Sequence, residues 1–122
     1  MVDMVNRPPH YSIFPVGFTA ECIEYARLLG FAQGNAFKYI YRAGSKGDWK
    51  EDLDKAMDYL NDLSESELYA NTAYTFLHAP TIHSGASTRA MAGKAVLYST
   101  EETIHLAMGA VSVFYDSLKE TA

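Results

Sequence analysis

The sequence predicts a mainly α fold: a small helical bundle behind an extended, proline-rich N-terminal arm, with a loop-rich segment around residues 79–98. Three observations carry that prediction. Apolar residues recur at helical spacing in several separate stretches. Asp48/Glu51, Ser64/Glu67 and Ser99/Glu102 each have the spacing of a capping box. Pro8, Pro9, Pro15 and Pro80 stand outside those stretches.

The arm comes first. Pro8, Pro9 and Pro15 lack the backbone donors a helix needs and push their predecessors towards extended geometry. A first helix is expected from Thr19 to Leu29, with Thr19 as N-cap and Gly30 as stop. A second, short helix is expected from Asn35 to Ala43 between Gly34 and Gly44. Its apolar side is Phe37, Ile40 and Tyr41, and its polar stripe is Asn35, Lys38 and Arg42. The third begins at Asp48, with Leu53, Met57 and Leu60 at helical period. A fourth is expected from Glu65 towards His78, although Thr72-Ala-Tyr-Thr-Phe-Leu is rich in strand formers. Pro80 to Thr88 reads as a mobile loop, and Met91 to Tyr98 as a short helix or a strand. The last helix, boxed by Ser99 and Glu102, is apolar almost all round. It is therefore expected to be buried on two sides or at a subunit contact.

Length and composition bound the function. The 122 residues read as one domain, 1–122, with 48% hydrophobic residues for a core. Ten basic against fifteen acidic residues give a net charge of −5, which excludes a strongly basic nucleic-acid coat. One cysteine, Cys22, forbids an internal disulfide and is expected to be an inert core residue. No apolar stretch reaches the ~20 residues of a membrane span, and the N-terminus has no signal core, so a reducing cytoplasm is expected. Phosphate-loop, dinucleotide and nucleophile-elbow motifs are absent.

Three groups carry potential chemistry. Lys38, Arg42 and Lys46 put positive charge on one short helix and its following turn, with the Asn35 amide on the same stripe. A lysine beside a forked guanidinium suits phosphate, and Gly44 and Gly47 allow close backbone approach to an anion. The competing assignment pairs Lys38 and Arg42 with Glu21, Glu24 or Glu51 to hold helices together. The second group is Glu21/Glu24 and Glu51/Asp54. Antiparallel packing of their helices could gather four carboxylates to bind Mg²⁺; the alternative is a solvated face with acids favoured by the helix dipole. The third is Pro8-Pro9-His10-Tyr11, which could place an imidazole and a phenol over a pocket, or simply anchor the arm.

In order, Val5-Asn-Arg-Pro-Pro-His-Tyr11, Glu21-Cys-Ile-Glu24, Gly34-Asn-Ala-Phe-Lys-Tyr-Ile-Tyr-Arg-Ala-Gly44, Lys46-Gly-Asp48 and Glu51-Asp-Leu-Asp-Lys-Ala-Met-Asp-Tyr-Leu60 resemble the small bacteriophage SaV-like family, which includes a nucleotide kinase of T7-like coliphages. The resemblance covers roughly residues 5 to 63; residues 64–122 are unmatched. It implies phosphoryl transfer to deoxynucleoside monophosphates without a Walker loop, in the cytoplasm of an infected bacterial host. Carried over by position, the matched residues include His10, Lys38, Arg42 and Asp52, whose chemistry makes them the expected catalytic groups of a kinase: cations for the moving phosphoryl group and His10 or Asp52 for a proton. The resemblance implies nucleotide contacts for Tyr11, Asn35, Tyr39, Lys46, Lys55 and Tyr59. The acidic pairs Glu21, Glu24, Glu51 and Asp54 also resemble the all-α MazG-type pyrophosphohydrolases, which would make them Mg²⁺ ligands. A third expectation is non-catalytic: a nucleotide-binding protein that counteracts host defence, with a host protein as partner. A homo-oligomer is expected from the apolar last helix and the small chain.

Overall fold

In the computed structural model, residues 13–63 and 65–121 are described. Residues 1–12 of the arm, and Ser64 with its expected capping role, lie outside them. The described chain forms α1 (Cys22–Ala26), α2 (Phe31–Arg42), α3 (Trp49–Asn61), α4 (Glu65–His78), a 3-10 turn (Ser84–Ala86), α5 (Thr88–Leu97) and α6 (Ile104–Thr121). The expected mainly α fold is what these residues adopt.

The helices differ from the sequence expectation mainly at their ends, and each difference has a local cause. The first helix starts at Cys22, because Glu21 and Glu24 form a reciprocal capping box in which the Glu24 carboxylate accepts from Glu21 N at 3.1 Å. Thr19 is occupied elsewhere: its hydroxyl donates to Thr81 O at 2.6 Å. The second helix starts four residues earlier than expected. Gly30 is its N-cap, and Gly34 lies inside it, where a Cβ would stand 3.3 Å from Ala26 O. Asp48 caps α3 by accepting from Lys50 N at 2.9 Å, as its spacing predicts. Between α2 and α3 the chain turns through Gly44 (φ 86) and Gly47 (φ 106), left-handed conformations that favour glycine.

The segment 79–98 divides. Phe18 and Ile82 form an antiparallel bridge, His83 N donates to Gly17 O at 2.7 Å, and Ile82 is buried. Thr88 onwards is helical, started by the Ser87 hydroxyl accepting from Ala90 N at 3.0 Å. This helix escaped the periodicity reading because its residues Ala90, Ala92, Gly93, Val96 and Leu97 are buried on more than one side. Ser99 closes α5 rather than opening α6. Its hydroxyl donates to Val96 O at 2.7 Å, while Thr103 accepts from Thr100 N at 2.8 Å just before α6 begins.

One core runs through both halves of the chain. Phe18, Tyr25, Phe37, Ile40 and Leu53 from the first half meet Ile82, Val96, Leu97, Val111 and Phe114 from the second. α1 packs on α2, α2 on α3 and α5, and α6 on α3 and α5. The expectation of an α6 buried on two sides is met by α3 and α5, with Leu106 and Val113 left exposed. Among the described residues no helix is long and apolar enough to cross a membrane.

Side chains from the second half stop the ends of α2. The Glu67 carboxylate accepts from Ala32 N (2.9 Å) and Gln33 N (3.3 Å) at its N-terminus. At its C-terminus Arg89 donates to Ile40 O (2.9 Å), Tyr41 O (3.1 Å) and Ala43 O (3.0 Å). Gln33 returns the contact: buried, it donates to Val96 O at 2.8 Å and Ser99 Oγ at 3.2 Å, closing α5. Backbone groups orphaned at helix ends are thus satisfied across the two halves.

Gly93 is set by packing. A Cβ there would stand 2.8 Å from Phe18 Cζ, and Phe18 is itself fixed by edge contacts to Tyr25, Phe37 and Tyr41. Gly93→Ala is therefore expected to destabilise by about 1–2 kcal/mol, overpacking outweighing the better helix propensity of alanine. Urea unfolding measures it, and a neutral or stabilised variant would show that the Phe18 ring can yield.

Candidate functional site

The stripe predicted on the second helix is real, and α3 completes it. Positions 35, 38, 39 and 42 lie along one side of α2, and positions 52, 55 and 59 along the facing side of α3. The Tyr39 ring is the centre. Lys38 Nζ lies 4.6 Å from its centroid, Arg42 Cζ 4.9 Å and Lys55 Nζ 5.6 Å. Tyr59 stacks on Tyr39 with centroids 6.1 Å apart and planes 16° apart. Phe31 meets the Tyr59 ring edge-on at 5.9 Å and is itself 76% exposed.

The three cations are held differently. Arg42 Nη2 is 3.6 Å from Asp52 Oδ1, and Asp52, only 4% exposed, also accepts from Gly44 N at 3.4 Å. Arg42 Nε is buried and has no hydrogen-bond partner. Lys55 pairs with Glu51 at 3.0 Å, a hydrogen bond that raises its pKa above the ordinary lysine value. Among the described residues no ion pair holds Lys38; its ammonium rests on the Tyr39 ring. The competing assignment from sequence named Glu21, Glu24 or Glu51 as partners; the carboxylate on Arg42 is instead Asp52, and among the described residues no ion pair joins Lys38 to a carboxylate.

Two cavities flank this row. One, of about 550 Å³, is lined by Tyr39, Lys55, Asp58, Tyr59, Asn61 and Asp62. The other, of about 440 Å³, lies between α1 and α2 and includes Cys22, Ile23, Arg27, Phe31, Asn35 and Lys38. Asn35 is partly committed, since its Nδ2 donates to Phe31 O at 2.7 Å. Lys46 is exposed on the turn after α2. His10 and Tyr11 lie outside the described residues. Phe31, Asp58, Asn61 and Asp62 were not anticipated; Phe31 sits four residues before Asn35, the only signal available for it.

The expected Mg²⁺ set is corrected by the fold. Glu21 and Glu24 cap α1, Glu51 pairs with Lys55, and Asp54 is exposed. α1 packs on α2, not across it onto α3, so the two acidic pairs are not gathered. Among the described residues no group of three or more His, Cys, Asp and Glu side chains could hold a metal ion.

Cys22 is only partly buried: it packs against the core and lines the α1–α2 cavity rather than lying inside the core as expected. Burial pushes its thiol up to about 11, against the pull of Lys38 and Arg42 towards the thiolate. At pH 8 a thiol-alkylating probe is expected to label it more slowly than a free thiol, with the rate climbing towards pH 11. The thiol's folded pKa is raised above the unfolded value of 9.0, so its contribution to stability is present below pH 9 and lost as pH rises through about 11. Fast labelling of the folded protein at pH 7 would contradict this.

Residues 5–61, just under half the chain, match the model of a family described as a protein of unknown function, DUF3310. No curated protein and no solved structure matches the chain. The matched segment contains α1 to α3, and with them every cation and ring of the row described above.

Proposed function

We propose that the α2–α3 face binds a nucleotide and that the chain acts as a phage nucleotide kinase, transferring a phosphoryl group to deoxynucleoside monophosphates in the host cytoplasm. The observation that supports this most directly is the cationic edge: among the described residues no carboxylate pairs with Lys38, which shares the Tyr39 ring with the partly exposed Arg42 guanidinium. A phosphate there would meet both positive charges, and the Tyr39 and Tyr59 rings offer a face for a base.

Phosphoryl transfer asks chiefly for positioning and charge stabilisation. An oxygen of the acceptor monophosphate attacks the γ-phosphorus of a triphosphate donor. The bond to the β–γ bridging oxygen breaks, and the donor leaves as a diphosphate with that electron pair. A monophosphate has a second pKa of about 6, so its attacking oxygen is already ionised at neutral pH and needs no strong base. In this reading Lys38 and Arg42 neutralise the moving group, and Asp52 holds Arg42 in place.

A second reading is binding without turnover, as in a protein that sequesters a nucleotide or meets a host defence protein. The observation that favours it is Asp52, which is buried against Arg42 and accepts from Gly44 N, and so does not present a free carboxylate to a bound nucleotide. Leu106 and Val113 are the surface that a second copy or a partner would cover in either reading. The pyrophosphohydrolase alternative has no gathered carboxylates to support it. Incubation with each deoxynucleoside monophosphate, a triphosphate and Mg²⁺ tests the proposal. Diphosphate product is expected. Tight nucleotide binding with no product would select the second reading, and pyrophosphate release from the triphosphate alone would overturn both.

A further inference from the structure

The two cavities share a wall. Lys38 lines the α1–α2 cavity while its ammonium touches the ring of Tyr39, which lines the α2–α3 cavity. Phe31 lines the first and touches Tyr59 of the second. Each cavity has the volume of a small-ligand site. Their linings differ in charge. The α2–α3 cavity carries Lys55 with Asp58 and Asp62; the α1–α2 cavity carries Arg27 and Lys38, with no acidic side chain among the described residues that line it. The ligand with more phosphates belongs with the more cationic lining.

We propose that the α1–α2 cavity is a second nucleotide site, taking the triphosphate donor, while the α2–α3 cavity takes the monophosphate acceptor, with Lys38 at the shared wall between the reacting phosphates. This rests on the nucleotide reading of the α2–α3 face and adds a second occupant. It gives Arg27, which the family resemblance did not mark, the role of a donor-binding residue. It also gives exposed Phe31 a role as a face for the donor's base. The acceptor oxygen meets the donor's γ-phosphorus at the open rim that the two cavities share beside Lys38; the bond to the β–γ bridging oxygen breaks, and the donor's diphosphate is left in the α1–α2 cavity.

Binding measurements on the full chain test this. The probes are a deoxynucleoside monophosphate, a triphosphate with a methylene in the β–γ bridge, and two nucleosides joined by five phosphates. Two nucleotides per chain are expected, with neither displacing the other. The joined probe should bind about 100-fold more tightly than the monophosphate, since its second half binds intramolecularly. Arg27→Glu should weaken the triphosphate analogue by about tenfold or more and leave the monophosphate unchanged. Asn61→Trp, which fills the other cavity from an exposed position, should do the reverse. Circular dichroism should show both variants folded. One nucleotide per chain, with mutual displacement and both variants weakening both ligands, would overturn the second site and leave the nucleotide reading standing. Binding of neither class would remove both.

Discussion

Replacing Arg89 with methionine is expected to destabilise the protein by about 3 kcal/mol, lowering the melting temperature by roughly 10 °C. The guanidinium donates to three carbonyls at the end of α2 and lies 4.8 Å from the centroid of the Phe114 ring. Burial lowers its pKa, yet an arginine stays charged at neutral pH. The variant therefore leaves three oriented acceptors without a donor and removes the link between α2, α5 and α6. Water can reach some of those carbonyls through the neighbouring groove of Tyr41, Ser45, Trp49 and Phe114, so the loss falls short of three full charge-assisted bonds. Arg89→Lys should recover less than half, because one ammonium cannot reproduce the fork. Denaturant unfolding of both variants gives the answer, and a loss below about 1 kcal/mol would mean that the carbonyls are solvated without the arginine.

On the proposed kinase reading, Lys38→Ala is expected to lower kcat/KM for phosphoryl transfer by about 100-fold while changing stability by less than about 0.5 kcal/mol. The asymmetry follows from its contacts: a partly exposed ammonium on the Tyr39 ring holds little together. Arg42→Ala should lose transfer as well, but also stability, because buried Asp52 would keep only the 3.4 Å bond from Gly44 N. Measuring turnover and unfolding on both variants separates the functional cation from the structural one. Unchanged turnover in Lys38→Ala would remove Lys38 from the reaction.

Much of this was legible locally. Asp48 announces α3, and the spacing of Lys38, Tyr39 and Arg42 announces their common face, because both depend on neighbours within two turns of helix. The start of α2 was misread because Gly34 looks like a breaker, when it is instead the place where α2 passes close to Ala26 O. The α5 helix was obscured by burial on several sides, which erases the periodicity that marks a surface helix. Glu67 and Arg89 were out of reach altogether, since each acts on backbone 34 to 49 residues away. For the site, the rings and cations were foreseen but the meeting of four carboxylates was not realised. The sequence specified two acidic helix faces; it did not specify that α2 would come between them.

The crossed stoppering of α2 bears on how such a chain can change. A cassette cut after Asn61 would carry every ring and cation of the proposed site, yet both tips of its central rod would open to water. A relative sharing only that stretch must find replacements for two posts: an acceptor where Glu67 stands and a many-pronged donor where Arg89 stands.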